Sequence, residues 1–122
     1  MIAKNTVESL RILCQRLADQ DIRWVLVGST SLALQGVDVT PRDIDILTDK
    51  AGAYRINALL KDCEVKPVGY RPSDTLRSYL GEFCVSDVKV EVMGDYREKV
   101  KGKWQDFTPR LTSPVIIQLE GM

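Results

Sequence analysis

The sequence predicts an α/β domain of the α+β kind, in which a mixed sheet of about five strands is flanked by two to three helices. Three observations carry that expectation. Residues 24–47, WVLVGSTSLALQGVDVTPRDIDIL, read as buried strand, Gly-Ser turn, short helix, loop and second strand. Residues 76–93 hold two alternating apolar and polar runs around Ser86-Asp87, the pattern of a hairpin. Residues 4–20 place Val7, Leu10, Leu13, Cys14 and Leu17 at three- and four-residue spacing, the stripe of an amphipathic helix.

The elements follow in order. Asp19-Gln20-Asp21 closes the first helix, and Ile22–Val27 is an apolar run short enough for a buried strand. Ser29–Gln35 is a short helix, with Gly28 or Ser29 near its N-cap and Gly36 at its end. Val37–Pro41 is a loop, and Arg42–Thr48 is a strand carrying two aspartates. Ala51–Lys61 is helical, with Tyr54, Ile56, Ala58 and Leu59 expected inward. Glu64–Tyr70 is a strand ahead of a Pro-Ser-Asp turn at 72–74. In the second strand of the hairpin Val88, Val90 and Val92 face one way, and Asp87, Lys89 and Glu91 the other. Two more short strands are expected around 97–104 and 114–119. With no repeat, low-complexity segment or linker, residues 1–122 form one domain.

Composition narrows the chemistry. The 122 residues are 44% hydrophobic and 28% charged, enough apolar content for a core without disulfide staples. Lys+Arg and Asp+Glu both number 17, so no overall basic field favours coating a nucleic acid, which is expected only as an acceptor. Histidine is absent, which excludes a histidine general base, a Ser-His-Asp triad and histidine-bound zinc. Cys14, Cys63 and Cys84 are widely spaced and odd in number, so we expect three reduced, mostly buried thiols in a cytoplasmic protein. No signal peptide or long apolar span is present, and no membrane partner is expected.

The site residues follow from the strands. Asp43 and Asp45 are two apart on an apolar strand, so their carboxylates point the same way. Paired carboxylates repel and are costly to desolvate unless a cation lies between them, and a hard divalent ion such as Mg²⁺ suits them. Glu91 joins the pair if its strand lies beside theirs. Three carboxylates hold two metal ions roughly 3.5–4 Å apart, the arrangement of in-line phosphoryl displacement. Glu91 is also placed to accept a proton. Asp87 and Asp95 are rivals for the third position, and pairing with Lys89 is the competing use of Glu91. The Gly28-Ser29 turn allows close backbone approach and offers free N–H groups to a phosphate. Arg42 either contacts a phosphate or offsets the carboxylate charge. Arg97, Lys99, Lys101 and Lys103 alternate as one basic stripe, either a protective edge or a rim for an RNA or phosphate. Trp24, Trp104, Leu32, Leu34 and Val39 are expected to pack.

Gly28-Ser29, a short helix, Asp43-x-Asp45 and a later strand carboxylate resemble the DNA polymerase β-type nucleotidyltransferase superfamily, most closely its minimal, abortive-infection and antibiotic-modifying members. The resemblance implies the nucleotidyltransferase fold and Mg²⁺-dependent transfer of a nucleoside monophosphate from an NTP such as ATP to a hydroxyl, with pyrophosphate released. It implies that Gly28 and Ser29 bind the β/γ-phosphates, with Arg42 beside them. Asp43 and Asp45 would bridge the two Mg²⁺ ions, for which Mn²⁺ can substitute, and Glu91 would be the third carboxylate. The chain differs in having Glu where Asp is usual, and in lacking the Arg-Gly that follows Gly-Ser in several branches. Residues 92–122 are too few for the C-terminal helical domain of many members. We therefore expect either an open acceptor site or a helical partner protein, as in toxin–antitoxin pairs. The alternatives to an enzyme are a partner-dependent or non-catalytic module and a nucleotide-binding sensor.

Overall fold

The computed structural model describes residues 2–107. Helix α1 spans Lys4–Leu17, strand β1 Trp24–Val27, helix α2 Gly28–Leu34, strand β2 Ile44–Thr48 and helix α3 Lys50–Leu59. A single 3₁₀ turn at Lys61–Cys63 leads into strands β3 (Glu64–Pro72), β4 (Leu76–Val85), β5 (Val88–Val100) and β6 (Lys103–Asp106). The strands form one mixed sheet in the order β1-β2-β5-β4-β3, with β6 pairing the far end of β5. This is the expected α/β architecture, with six strands and three helices.

The alternation of β5 decides which face is the core. Val88, Val90 and Val92 lie at 3%, 0% and 0% exposure, so this face is sealed, whereas Lys89 on the other is exposed. The sealed face collects Ile44 and Ile46 of β2 and Phe83 and Val85 of β4. Over it pack Leu10, Leu13 and Leu17 of α1 and Ala53 and Ile56 of α3. Each such buried aliphatic or aromatic side chain stabilises the fold by about 1.5–3 kcal/mol. Asp49 caps α3 by accepting from the Gly52 N–H at 2.6 Å. At Gly94 a Cβ would meet the Ala53 Cβ and the Asp49 carbonyl at 2.8 Å, so α3 lies against β5 backbone to backbone.

Several expectations need correction. On α3, Ala53 and Ile56 face inward, while Tyr54 is 45% exposed and Ala58 is exposed. The small residue Ala53 is the one that meets Gly94. On α1, Thr6 and Ser9 are buried instead of Val7 and Cys14. The thiols are free, but Cys14 and Cys84 are exposed and Cys63 is half-buried. The hairpin across Ser86-Asp87 is present, with both residues at positive φ (51° and 62°), the geometry of a tight two-residue turn. The stretch 97–104 is not one strand. β5 continues to Val100, turns at Lys101-Gly102 and returns as β6, so Lys101 and Lys103 leave the stripe that Arg97 and Lys99 share. Trp24 packs against the core as expected. Trp104 lies under the Arg77 guanidinium, 3.8 Å from its ring centroid. Leu34 packs, but Leu32 is 46% exposed. The strand expected at 114–119 lies outside the described residues. Among the described residues no helix is long and apolar enough to cross a membrane.

Candidate active site

The face of the sheet opposite the core is polar along one row. Val27 of β1 pairs with Asp45 of β2, and Asp45 pairs in parallel with Glu91 of β5. Glu91 pairs with Glu82 of β4, and Glu82 with Lys66 of β3. Residues opposite one another on neighbouring strands share a face, so Asp45, Glu91, Glu82 and Lys66 stand side by side. The sheet thus brings together Asp45 and Glu91, two of the three expected carboxylates. Asp43 sits just before β2, exposed, because the strand starts at Ile44 and not at Arg42. Its backbone carbonyl accepts the hydroxyl of fully buried Thr30 at 2.6 Å, which ties the approach to β2 against α2.

Gly28 closes the row on the β1 side. Its φ of +72° lies in the left-handed region, and a Cβ there would stand 2.5 Å from the Asp45 Oδ2. Both the backbone and the space therefore demand glycine, and the Gly28-Ser29 turn lies directly against the Asp45 carboxylate. Burial pushes the Asp45 carboxyl above the usual carboxylate range, and the negative charges of Glu91 and Asp43 push it further. Lys89 opposes that rise. The Lys89 Nζ lies 2.9 Å from Glu91 and 3.6 Å from Glu82, so one ammonium bridges two carboxylates of the row.

The rivals for the third position are accounted for. Asp87 occupies the hairpin turn, and Asp95 accepts from the Lys50 N–H at the start of α3. Arg42 is exposed beside the site. The expectations from sequence include the pairing of Glu91 with Lys89 as the competing use of Glu91, and that pair is present, but they do not include Glu82 or the reach of Lys89 to it. The two-residue turn contains the signal for Glu82. Once Val85 is set against Val88, Glu82 must fall opposite Glu91.

The donor set is all carboxylate oxygen, which fits a hard cation such as Mg²⁺. As they stand, no three acidic or thiol side chains among the described residues converge into a cage for an ion. Glu91 is turned onto Lys89 instead. Asp45, Asp43 and Glu91 are the residues that would hold the metal, with Glu91 exchanging its lysine partner for the ion.

Comparison with known proteins gives this geometry a lineage. Residues 9–120 match the model of the aminoglycoside-2''-adenylyltransferase family. The chain belongs to that family. A solved structure of a candidate nucleotidyltransferase from Thermotoga maritima is 39% identical over 87% of this chain, with a TM-score of 0.82. The chain spans 66% of that protein's length. A second solved structure, JHP933 from Helicobacter pylori, is 17% identical over 91% of this chain and 56% of its own, at a TM-score of 0.40. That likeness is too slight to argue from. No curated protein matches significantly. The family and the Thermotoga structure agree with the fold expected from Gly28-Ser29 and Asp43-x-Asp45.

Proposed function

We propose that the chain transfers a nucleoside monophosphate from an NTP to a hydroxyl, with Asp43, Asp45 and Glu91 as its reactive carboxylates. The observation that supports this most is the adjacency of Gly28, just after β1, to Asp45 on β2, and of Asp45 to Glu91 on β5, on a face the core helices α1 and α3 leave open. The family's name makes ATP the first donor to test.

Each residue has a role that its position allows. The Gly28-Ser29 backbone receives the β- and γ-phosphates, and exposed Arg42 adds a positive charge beside them. Asp43 and Asp45 would hold Mg²⁺, which when bound would neutralise the triphosphate and lower the pKa of the acceptor hydroxyl. Glu91 takes the hydroxyl proton as the acceptor oxygen forms its bond to the α-phosphorus. The bond from the α-phosphorus to the bridging oxygen breaks, and pyrophosphate leaves with the electron pair. Before the metal binds, Lys89 holds Glu91 in place.

A second reading is favoured by that same lysine. If Glu91 stays with Lys89, the chain is a nucleotide-binding or partner-dependent module without turnover. A thermal-shift titration of ATP, GTP, CTP and UTP with and without Mg²⁺ separates the two. A ligand held only by the folded state raises stability by mass action. We expect a Mg²⁺-dependent rise that Asp43→Asn/Asp45→Asn abolishes, together with loss of NTP turnover. A rise with no turnover by the wild type would favour the module, and a double variant with full activity would refute the site.

A further inference from the structure

The row of charged residues continues past Glu91 into a cleft. Lys66, Arg71, Leu80, Gly81, Glu82 and Glu91 line an open depression of about 100 Å³ over β3 and β4. Lys66 shares the open face with Glu82, and Arg71 shares it with Ser78, its partner on β4. Both cations are exposed, and neither is held by a carboxylate among the described residues. Glu82 and Glu91, by contrast, already share Lys89. The wall away from β2 is therefore net positive.

The reaction's stereochemistry says what belongs there. In an in-line displacement the attacking and leaving oxygens lie on opposite sides of the phosphorus. The leaving pyrophosphate is on the β1 side, where Gly28-Ser29 abuts Asp45. The acceptor must then enter from the β4 and β3 side, where the cleft meets Glu91. Neighbouring strands are about 4.8 Å apart, so Lys66 stands roughly 10 Å from Glu91 across two strands. That span fits a sugar with a hydroxyl at one end and a phosphate at the other.

We propose that this cleft is the acceptor subsite and that it takes a hydroxyl compound carrying a phosphate, held by Lys66 and Arg71. The proposal rests on the nucleotidyl-transfer reading. It also separates this chain from what its family's name implies, because a polycationic aminoglycoside would meet Lys66, Arg71 and Lys89 at close range.

The test is binding, measured apart from turnover. The wild type, loaded with Mg²⁺ and a non-hydrolysable ATP analogue, is titrated with ribose 5-phosphate, inorganic phosphate and kanamycin at matched ionic strength. The backbone amide resonances of Lys66, Arg71, Leu80 and Glu82 are followed by NMR. We expect ribose 5-phosphate to move them and to bind more tightly than inorganic phosphate. Lys66→Gln/Arg71→Gln should weaken that binding about tenfold or more, since charge-assisted bonds to phosphate are lost, and leave the ATP analogue's affinity unchanged. The proposal is overturned if kanamycin alone moves these resonances, if no probe does, or if the double variant binds the sugar phosphate as the wild type does. Inorganic phosphate binding as tightly as ribose 5-phosphate would also overturn it, leaving a plain anion site. Failure of the ATP analogue to bind the wild type would instead overturn the parent reading, and this proposal with it.

Discussion

The two faces of β5 carry opposite chemistry within one five-residue stretch. Val88, Val90 and Val92 are sealed under α1 and α3, while Lys89 and Glu91 stand on the face those helices leave open. Alternation along a strand makes this separation inexpensive, because a residue can change chemistry without changing its neighbours' packing. The sealed face holds the sheet in register. The open face can then collect like charges that would be intolerable in the core. Stability and reactivity are divided by the pleat, not by the length of the chain.

The largest expected effect breaks this division from the sealed side. Phe83 is fully buried, and Phe83→Ala should cost about 3–5 kcal/mol, measured by denaturant unfolding. Glu91→Gln, one strand away on the open face, should leave the unfolding midpoint nearly unchanged. It should lower NTP turnover about 10²- to 10⁴-fold as a proton acceptor is lost. If the two variants lose stability equally, the faces are not separable in this way.

Lys89 tests the open face with a smaller effect. Its ammonium occupies the charge that a metal would supply to Glu91 and Glu82. Lys89→Met should therefore tighten Mg²⁺ binding about threefold to tenfold, read by calorimetry with metal alone, since partly exposed ion pairs are worth little each. Unchanged or weaker binding would show that Lys89 does not compete with the metal.

The smallest effect concerns Asp45 in the metal-free protein. Its folded pKa is raised by burial first and by Glu91 and Asp43 next, so ionised Asp45 costs stability. That cost is present above the raised pKa and is relieved as pH falls through it toward the ordinary carboxylate value. Below the ordinary value both states are protonated and the contribution is constant. Asp45→Asn should stabilise the metal-free protein at neutral pH by about 0.5–1 kcal/mol, discounted for screening at a half-exposed site. The gain should vanish in acid. Equal gains at both pH values would place its origin elsewhere.

Most of this division is legible in the sequence. The apolar alternation of 88–92 and the buried run around Asp45 identify both strands, and Gly28 marks a position that other residues strain to occupy. What escaped is mostly a matter of neighbours. Tyr54 has the right spacing for a core residue, but the close seat of α3 on Gly94 turns Ala53 inward. Cys14 and Cys84 have the hydrophobicity of core residues but lie on exposed faces. The stripe of Arg97, Lys99, Lys101 and Lys103 looks continuous because alternation does not reveal a reversal at Lys101-Gly102. The Lys89–Glu91 pair is among the alternatives the sequence offers, but the choice between it and a metal, and the reach of Lys89 on to Glu82, depend on rotamers, which no spacing rule supplies.

Asp45 and Glu91 meet only through the parallel ladder of β2 with β5, and α3, β3 and β4 all lie between them in the chain. Parallel pairing of this kind has no short turn to nucleate it, and closing so long a loop costs entropy before any contact repays it. Local pieces such as the β4–β5 hairpin, which sets Glu82 against Glu91, can form early, but Asp45 joins that row only once the long crossover has closed. A refolding chain would regain hairpin and helix signals before it regained the pairing of Asp45 with Glu91 and, on the proposed function, the Mg²⁺-dependent nucleotide binding that needs it. On the proposed function, nucleotide binding would thus be a clock for the last long-range step of folding, and a stringent assay of whether any preparation or variant has completed its topology.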